Sequence, residues 1–393
     1  MADSTEVVVI GGGYAGVLAA NRLTRRGDVA VTLVNPRPVF VERIRLHQLA
    51  GGTHGAVADY RDVLAPRVRL VVDSAVRIGA GERTVALAGG GTLGYDHLVY
   101  AAGSGGGRAD VPGATEFAHP VATLEDARRL KDALAAAPAA AEVTVVGAGP
   151  TGIETAAELA EQGRRVVLAC GGVLGPYLHP KGRRSVARRL DRLGVRVLEG
   201  PGAAVAAVTA DTVRLADGRE LPSRVTVWTA GFGVPDLAAR SGLRTDTLGR
   251  LLTDETLTSV DDPRIVAAGD AAAPSDLPFR MSCQSATRLG AHAADTVLRR
   301  IAGQPPEPVN LGFFGQCISL GRGAGIFQFA DRDDTATGRY ISGRLGARVK
   351  EVVCRSTLKH LAHEARKPGS LTWVADGSRR ERLQARDRTA PAR

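Results

Sequence analysis

Long apolar runs are missing from this sequence of 393 residues. No stretch reaches the roughly 18 apolar residues that a membrane-spanning helix needs, so none is expected. Aromatic residues are scarce, at 4%, which argues against a surface that binds nucleic acid by stacking bases. The four cysteines, Cys170, Cys283, Cys317 and Cys354, are far apart, with no C-x-x-C or C-x-x-x-x-C. That spacing excludes the usual redox dithiols and paired-cysteine zinc sites, so no metal site is expected. It fits a reduced, cytoplasmic chain. The opening residues, MADSTE, carry no charged-then-apolar leader, which points the same way.

Glycine is plentiful, with 48 residues grouped at turns after apolar stretches. Residues 7–10, VVVI, read as a buried parallel strand. Gly11, Gly13 and Gly16 follow as G-x-G-x-x-G, and residues 14–23 read as a helix. The first glycine allows a tight turn. The second lets the backbone approach a pyrophosphate, and the third lets helix and strand pack closely. The free N–H groups of the helix start then face the phosphates. Residues 143–146 open a second copy with Gly147, Gly149 and Gly152. Each copy continues through an Ala-rich helix, a glycine (Gly27, Gly163) and a further strand. Two copies with matching downstream order predict two dinucleotide-binding domains.

Both copies lack a carboxylate at the end of the second strand, where an adenosine ribose is usually held. Asn35 stands there in the first copy and Cys170 in the second. Asn35 can still accept through its amide oxygen. Without an acid at Cys170, the choice between NADH and NADPH is not specified. Arg183 and Arg184 could meet a 2′-phosphate or form a solvated helix face.

Three further apolar strands end in small residues. They are YDHLVYAAGS with Ala102 and Gly103, WTAGF with Gly231, and IVAAGD with Gly269 and Asp270. Small residues let a backbone lie against a flat ligand, and Asp270 could accept hydrogen bonds from hydroxyl groups. Residues 36–52 alternate Arg43, Arg45 and His47 with apolar residues. The segment either covers a cofactor or is a solvated connector. Asp217-Gly218 reads as a hairpin between strands at 212–215 and 225–229.

The formal charge is +10, and residues 331–393 hold 15 Lys/Arg against eight Asp/Glu. There CISLGRGAGIFQF reads as a hairpin, and residues 341–366 as a basic amphipathic helix. Its apolar face is expected to be Ile341, Leu345, Val349, Val352 and Val353. Such a helix can lie on an anionic membrane, or dock on its own domain or on a partner subunit. Residues 378–393 have little apolar content and are expected to be disordered.

Taken in order, GGGYAG, YDHLVYAAG, GAGPTGIE, WTAGF and IVAAGDAA resemble the two-dinucleotide flavoprotein oxidoreductases of the pyridine nucleotide-disulfide reductase fold. Within that superfamily the chain looks most like the type II NADH dehydrogenases. The resemblance implies an α/β fold with two Rossmann-like domains and a smaller C-terminal α+β region. The expected divisions are 1–112 with 254–308 for FAD, 113–253 for NAD(P)H, and 309–377 for the C-terminal region. FAD would be held by Gly11, Gly13, Tyr14, Ala15, Gly16, Asn35, Gly103 and Asp270, with Arg43, Ala102 and Gly269 beside it. NADH or NADPH would lie near Gly147, Gly149, Pro150, Thr151, Gly152 and Gly231.

Glu154 matches a glutamate where nicotinamide, flavin and acceptor meet in the family. An acid in a first helical turn can also simply favour the helix dipole. The family's paired cysteines near residues 40–50 are missing, so no protein dithiol is expected to relay electrons. Quinone-reducing members carry two glutamines where this chain has Gln284 and Arg288. The expected activity is hydride transfer from NAD(P)H to FAD and on to a quinone-like acceptor. Glu154 would handle protons or orient the reactants, and Gln284 would orient the acceptor. The alternatives are a pathway-specific small molecule, sulfide oxidation using Cys283 and Cys317, or a flavin-bound redox sensor. No nucleic-acid partner is expected. A homodimer, and peripheral contact of residues 341–366 with the inner face of the membrane, are the remaining expectations.

Overall fold

The computed structural model describes residues 4–107 and 110–389. The run TEVVVI forms the strand Thr5–Ile10, whose last four residues are buried. It lies between the parallel strands Val29–Asn35 and His97–Tyr100. Arg69–Val72 and Ile265–Ala267 complete a five-stranded parallel sheet. Glu142–Val146 is the central strand of a second five-stranded parallel sheet. Its neighbours are Val225–Trp228 and Arg165–Ala169, flanked by Ala118–Pro120 and Arg196–Leu198. Near-continuous Val, Ile and Leu suit strands covered on both faces.

Each central strand feeds a glycine turn and a helix, Tyr14–Leu23 in the first sheet and Pro150–Glu161 in the second. The chain passes through the whole second sheet before Ile265–Ala267 returns to the first. Helix Cys283–Ile301 then packs along Tyr14–Leu23, with Gly290 against the Ala15 backbone. Ser282 caps this helix by accepting from the Ser285 N–H at 3.1 Å. The strands Gly315–Ser319, Gly325–Ala330 and Ala336–Ser342 form an antiparallel sheet. It leads into helix Gly343–Arg366.

Three sequence expectations are corrected. The Asp217-Gly218 turn joins Thr212–Leu215 to Glu220–Pro222, and Val225–Trp228 enters the parallel sheet instead. Pro222 lacks an N–H and ends the short ladder, while Val225 and Val227 are buried in the sheet. The C-terminal helix does not bury the expected apolar face: Leu345 is 57% and Val352 65% exposed. It buries Gly346, Lys350, Cys354, Thr357 and Leu361. A close backbone approach and an ion pair choose that face. A Cβ on Gly346 would stand 2.2 Å from the Gly325 carbonyl oxygen, and Lys350 reaches a buried carboxylate.

The tail is not disordered over Arg379–Thr389, which forms a helix. Its anchors are polar: Arg379 pairs with Glu255 at 2.8 Å and lies over the Phe279 ring. Arg382 pairs with Asp376 at 2.6 Å. Low apolar content misleads here because ion pairs and carbonyl contacts replace apolar burial. The last four residues, 390–393, lie outside the described residues.

Candidate active site

Both glycine turns are shaped by close approach. Gly11 has φ +101°, and a Cβ there would stand 2.2 Å from the Ala101 carbonyl oxygen. A Cβ on Gly16 would stand 1.7 Å from the Gly11 carbonyl oxygen. In the second turn Gly147 has φ +125°, and Gly152 would crowd the Gly147 oxygen at 2.0 Å. Gly13 and Gly149, by contrast, have open space where a side chain would begin. These two glycines also occupy the N-cap positions, so no side chain caps the first helical N–H groups. Both loops are therefore open cradles of N–H donors. Pro150 starts the second helix and Thr151 follows it. Gly231 stands beyond strand Val225–Trp228 with open space at its Cα.

Asn35 Oδ1 accepts from the Gly12 N–H at 3.0 Å, and its Nδ2 donates to the Arg37 carbonyl at 2.8 Å. The side chain thus braces the first glycine turn. Tyr14 packs edge-on against Phe40, and its hydroxyl is buried without a partner. Ala15 contacts Gly269, which brings the IVAAGD turn to the start of helix Tyr14–Leu23. Arg43 Nη1 donates to Ser104 Oγ at 2.9 Å, and Ser104 Oγ donates to Asp270 Oδ2 at 2.6 Å. Asp270 Oδ1 is buried with no protein partner. Burial pushes its carboxyl up, against the Ser104 bond and the Arg43 charge. An open backbone cradle, open space at Gly103 and an unpaired buried acceptor fit a ligand with a pyrophosphate and hydroxyl groups, such as FAD.

The second centre lies where helix Pro150–Glu161 meets segment 36–52 and the C-terminal region. Glu154 is 7% exposed. Its Oε1 accepts from the Ser319 N–H at 2.9 Å and lies 2.8 Å from Lys350 Nζ. His47 Nδ1 lies 3.5 Å from Glu154 Oε2, and His47 Nε2 has no partner. Burial alone would raise the Glu154 carboxyl, but the charge and hydrogen bond of Lys350 and the Ser319 N–H hold it below the usual range. Burial is the largest influence on Lys350 and lowers it, but the charge and hydrogen bond of Glu154, together with Cys317 and Cys354, raise it well above its ordinary value. His47 is pulled down to about 4 by burial, so its imidazole is neutral at pH 7.

Arg43, Arg45 and His47 of segment 36–52 therefore go to four different acids. Arg43 turns to Asp270, and His47 to Glu154. Arg45 pairs with Glu42 at 3.2 Å and with Glu351 at 3.0 Å. The segment is not a solvated connector: it ties the IVAAGD turn to the C-terminal helix.

Gln284 is one turn from Arg288. With its amide set to satisfy both ends, it accepts from Arg288 Nη1 at 2.9 Å and donates to the Gly315 carbonyl at 3.1 Å. Gln284 and Glu154 thus meet opposite ends of strand Gly315–Ser319 without touching each other. Sequence reading does not single out Lys350 or Ser319. Gly346, Lys350, Cys354, Thr357 and Leu361 do share a helical spacing, but a lysine on that face carries no sign of its distant partner. All four cysteines are free. Burial pushes Cys170 and Cys283 up to about 12 and Cys354 to about 11, and raises Cys317 as well. They are protonated thiols at neutral pH, not activated nucleophiles.

The pyridine nucleotide-disulphide oxidoreductase family model matches residues 5–294. An NADH dehydrogenase-like protein of Mycobacterium tuberculosis is 32% identical over 353 residues, covering 82% of this chain and 87% of that protein. A type II NADH:quinone oxidoreductase of the same organism is 30% identical over 344 residues, covering 76% and 73%. Among solved structures, the sulfide:quinone oxidoreductase of Aquifex aeolicus superposes with a TM-score of 0.77 at 20% identity, covering 92% of each chain. At that identity the likeness speaks for the fold alone. The glycine turns, their order along the chain and the extent of these matches agree: the chain belongs to the pyridine nucleotide-disulphide oxidoreductase family.

Proposed function

We propose that this protein, an NAD(P)H dehydrogenase that works with FAD, delivers its electrons to a small quinone-like acceptor. One observation carries the reading: a buried ammonium–carboxylate pair, Lys350 with Glu154, between the helix of the second glycine turn and the C-terminal region. Bound FAD would take hydride from the nicotinamide and release the electron pair to the acceptor. The protein's part is positional and electrostatic. The N–H groups after Gly11 and Gly147 would hold the two pyrophosphates. Asp270, steadied by Ser104 and Arg43, would receive ligand hydroxyls.

Reducing a quinone by two electrons takes up two protons. NADH brings one as hydride, and the other must come from the medium. Lys350 Nζ holds a proton 2.8 Å from Glu154 Oε1, and the pair is proposed to move it toward the acceptor oxygen. Neutral His47, with Nδ1 3.5 Å from Glu154 Oε2, is proposed to help position that carboxylate. Gln284 is proposed to fix the strand that carries Ser319. NADH is the proposed donor, since the relatives' names give NADH for those proteins.

The test is anaerobic stopped-flow on the purified yellow holoenzyme. NADH is expected to bleach the flavin, and a menaquinone analogue to restore its colour. Failure of NADH and NADPH alike to bleach it would refute the reading. Bleaching without reoxidation by any quinone would refute the acceptor.

No described helix is long and apolar enough to cross a membrane. Leu345 and Val352, both exposed, share one helical face with Arg348, Arg355 and Lys359. That face is proposed to rest on an anionic bilayer, with the apolar pair inserted and the cations at the headgroups. L345E/V352E should abolish cosedimentation with vesicles containing anionic lipid. Retained binding would remove this face from consideration.

A further inference from the structure

Five arginines lie over aromatic rings: Arg22, Arg280, Arg288, Arg339 and Arg379. Three of them are neutralised within the fold. Arg22 pairs with Asp295 and Glu364, Arg280 with Asp334, and Arg379 with Glu255. Arg339 is exposed to solvent. Arg288 differs from all four. It is partly buried and, among the described residues, has no carboxylate within ion-pair distance.

The partners of Arg288 are neutral. Nη1 donates to the Gly312 carbonyl at 3.0 Å and to the Gln284 amide oxygen at 2.9 Å. The guanidinium carbon stands 5.4 Å from the centre of the Phe314 ring. Burial pulls the group below the usual arginine range, and only the Cys283 thiol opposes this. A carbonyl, an amide and a ring satisfy donors, but they supply no countercharge.

The location gives this meaning. Arg288 follows Gln284 by one turn on the same face of helix Cys283–Ile301. The start of that helix lies against the flavin-side turn, with Ala286 beside Gly269. Phe314, 44% exposed, offers an aromatic surface next to the guanidinium.

We infer that the acceptor is a flat quinone bearing a negative charge, with its anionic substituent paired to Arg288 and its ring beside Phe314. This rests on the quinone-like acceptor proposed above and narrows it to an anionic class. The chemistry balances as before. Two electrons and two protons convert quinone to hydroquinone, NADH supplies the hydride, the medium supplies one proton, and the anionic substituent is unchanged.

The test uses the holoenzyme with two benzoquinones that share one ring. One carries a short alkyl chain and the other the same chain ending in a carboxylate. At low ionic strength the wild-type protein should favour the carboxylate in kcat/KM by about tenfold or more, chiefly through KM. Added salt should shrink the ratio. R288K should keep most of the preference, and R288Q should bring the ratio to about one. A second readout needs no turnover. Naphthalene sulfonate should perturb the visible band of the bound flavin, with at least about tenfold weaker binding in R288Q.

A wild-type ratio near one overturns the inference even if R288Q fails to fold. So does a preference that R288Q retains, or sulfonate binding that R288Q leaves unmoved. Good turnover of the neutral quinone alone overturns only the anionic class. Bleaching by NADH with neither quinone reoxidising the flavin overturns the quinone reading itself.

Discussion

His47 shows how much one buried side chain can set. Its imidazole is 3% exposed and held near 4, against an ordinary value of 6.5. A folded value below the unfolded one means the unfolded chain binds more protons between them. The contribution to stability is therefore complete above about 6.5 and lost as pH falls toward 4. The shift corresponds to about 3 kcal/mol at most. Thermal melts should show Tm falling from pH 7 to pH 4.5, and H47Q should flatten that slope. Parallel slopes would refute the linkage. Glu154 depends on Lys350 in the opposite sense. In K350M burial acts on the carboxyl unopposed by the ammonium, so its pKa should climb above the usual range. The variant should lose about 3–5 kcal/mol at pH 7 and recover part of it on acidification, as protonation relieves the buried charge. Urea denaturation at pH 7 and pH 5 decides this. Glu154 was legible in sequence from its place after Gly152. Lys350 was not, because it lies 196 positions later and only packing joins the two.

At the scale of elements, the C-terminal helix teaches the limits of counting apolar residues. Ile341, Leu345, Val349, Val352 and Val353 suggest one inner face, yet Ile341 belongs to the preceding strand and Leu345 and Val352 are exposed. The helix is turned by the contact of Gly346 with Gly325, where the backbones approach too closely for a Cβ. G346A should cost about 2–3 kcal/mol, because backbone atoms must move. It should also carry Lys350 away from Glu154, so that the pH response resembles that of K350M. Unchanged stability would mean the approach is looser than drawn. The glycine turns are the contrary case. There the atoms crowding Gly11, Gly16, Gly147 and Gly152 belong to the same turn or to the end of an adjacent strand, so the motif alone announces the geometry.

Across the whole molecule, Arg379 near the C-terminus returns to the loop that precedes helix Cys283–Ile301. Arg379 pairs with Glu255, covers Phe279 and donates to the carbonyls of Pro274 and Leu277. That loop leads into helix Cys283–Ile301, which carries Gln284 and Arg288. R379A should lower stability by about 2 kcal/mol, through loss of a partly buried pair and its ring contact. It should also open residues 378–389 to protease before the domains melt. A tail cleaved equally fast in both proteins would show that the anchor contributes little.

The two nucleotide-binding units and their glycine turns follow from the sequence by itself. Their signals are local: apolar strands, glycines at set offsets and an Ala-rich helix, each dictated by sterics within about 30 residues. Tertiary structure alone decided which charges meet. Asn35 braces a turn, Arg43 reaches Asp270, Lys350 reaches Glu154, and Arg288 is left with neutral partners. The physical reason is that burial and countercharge arise from distant segments, and no periodicity in the chain records which segment will cover another.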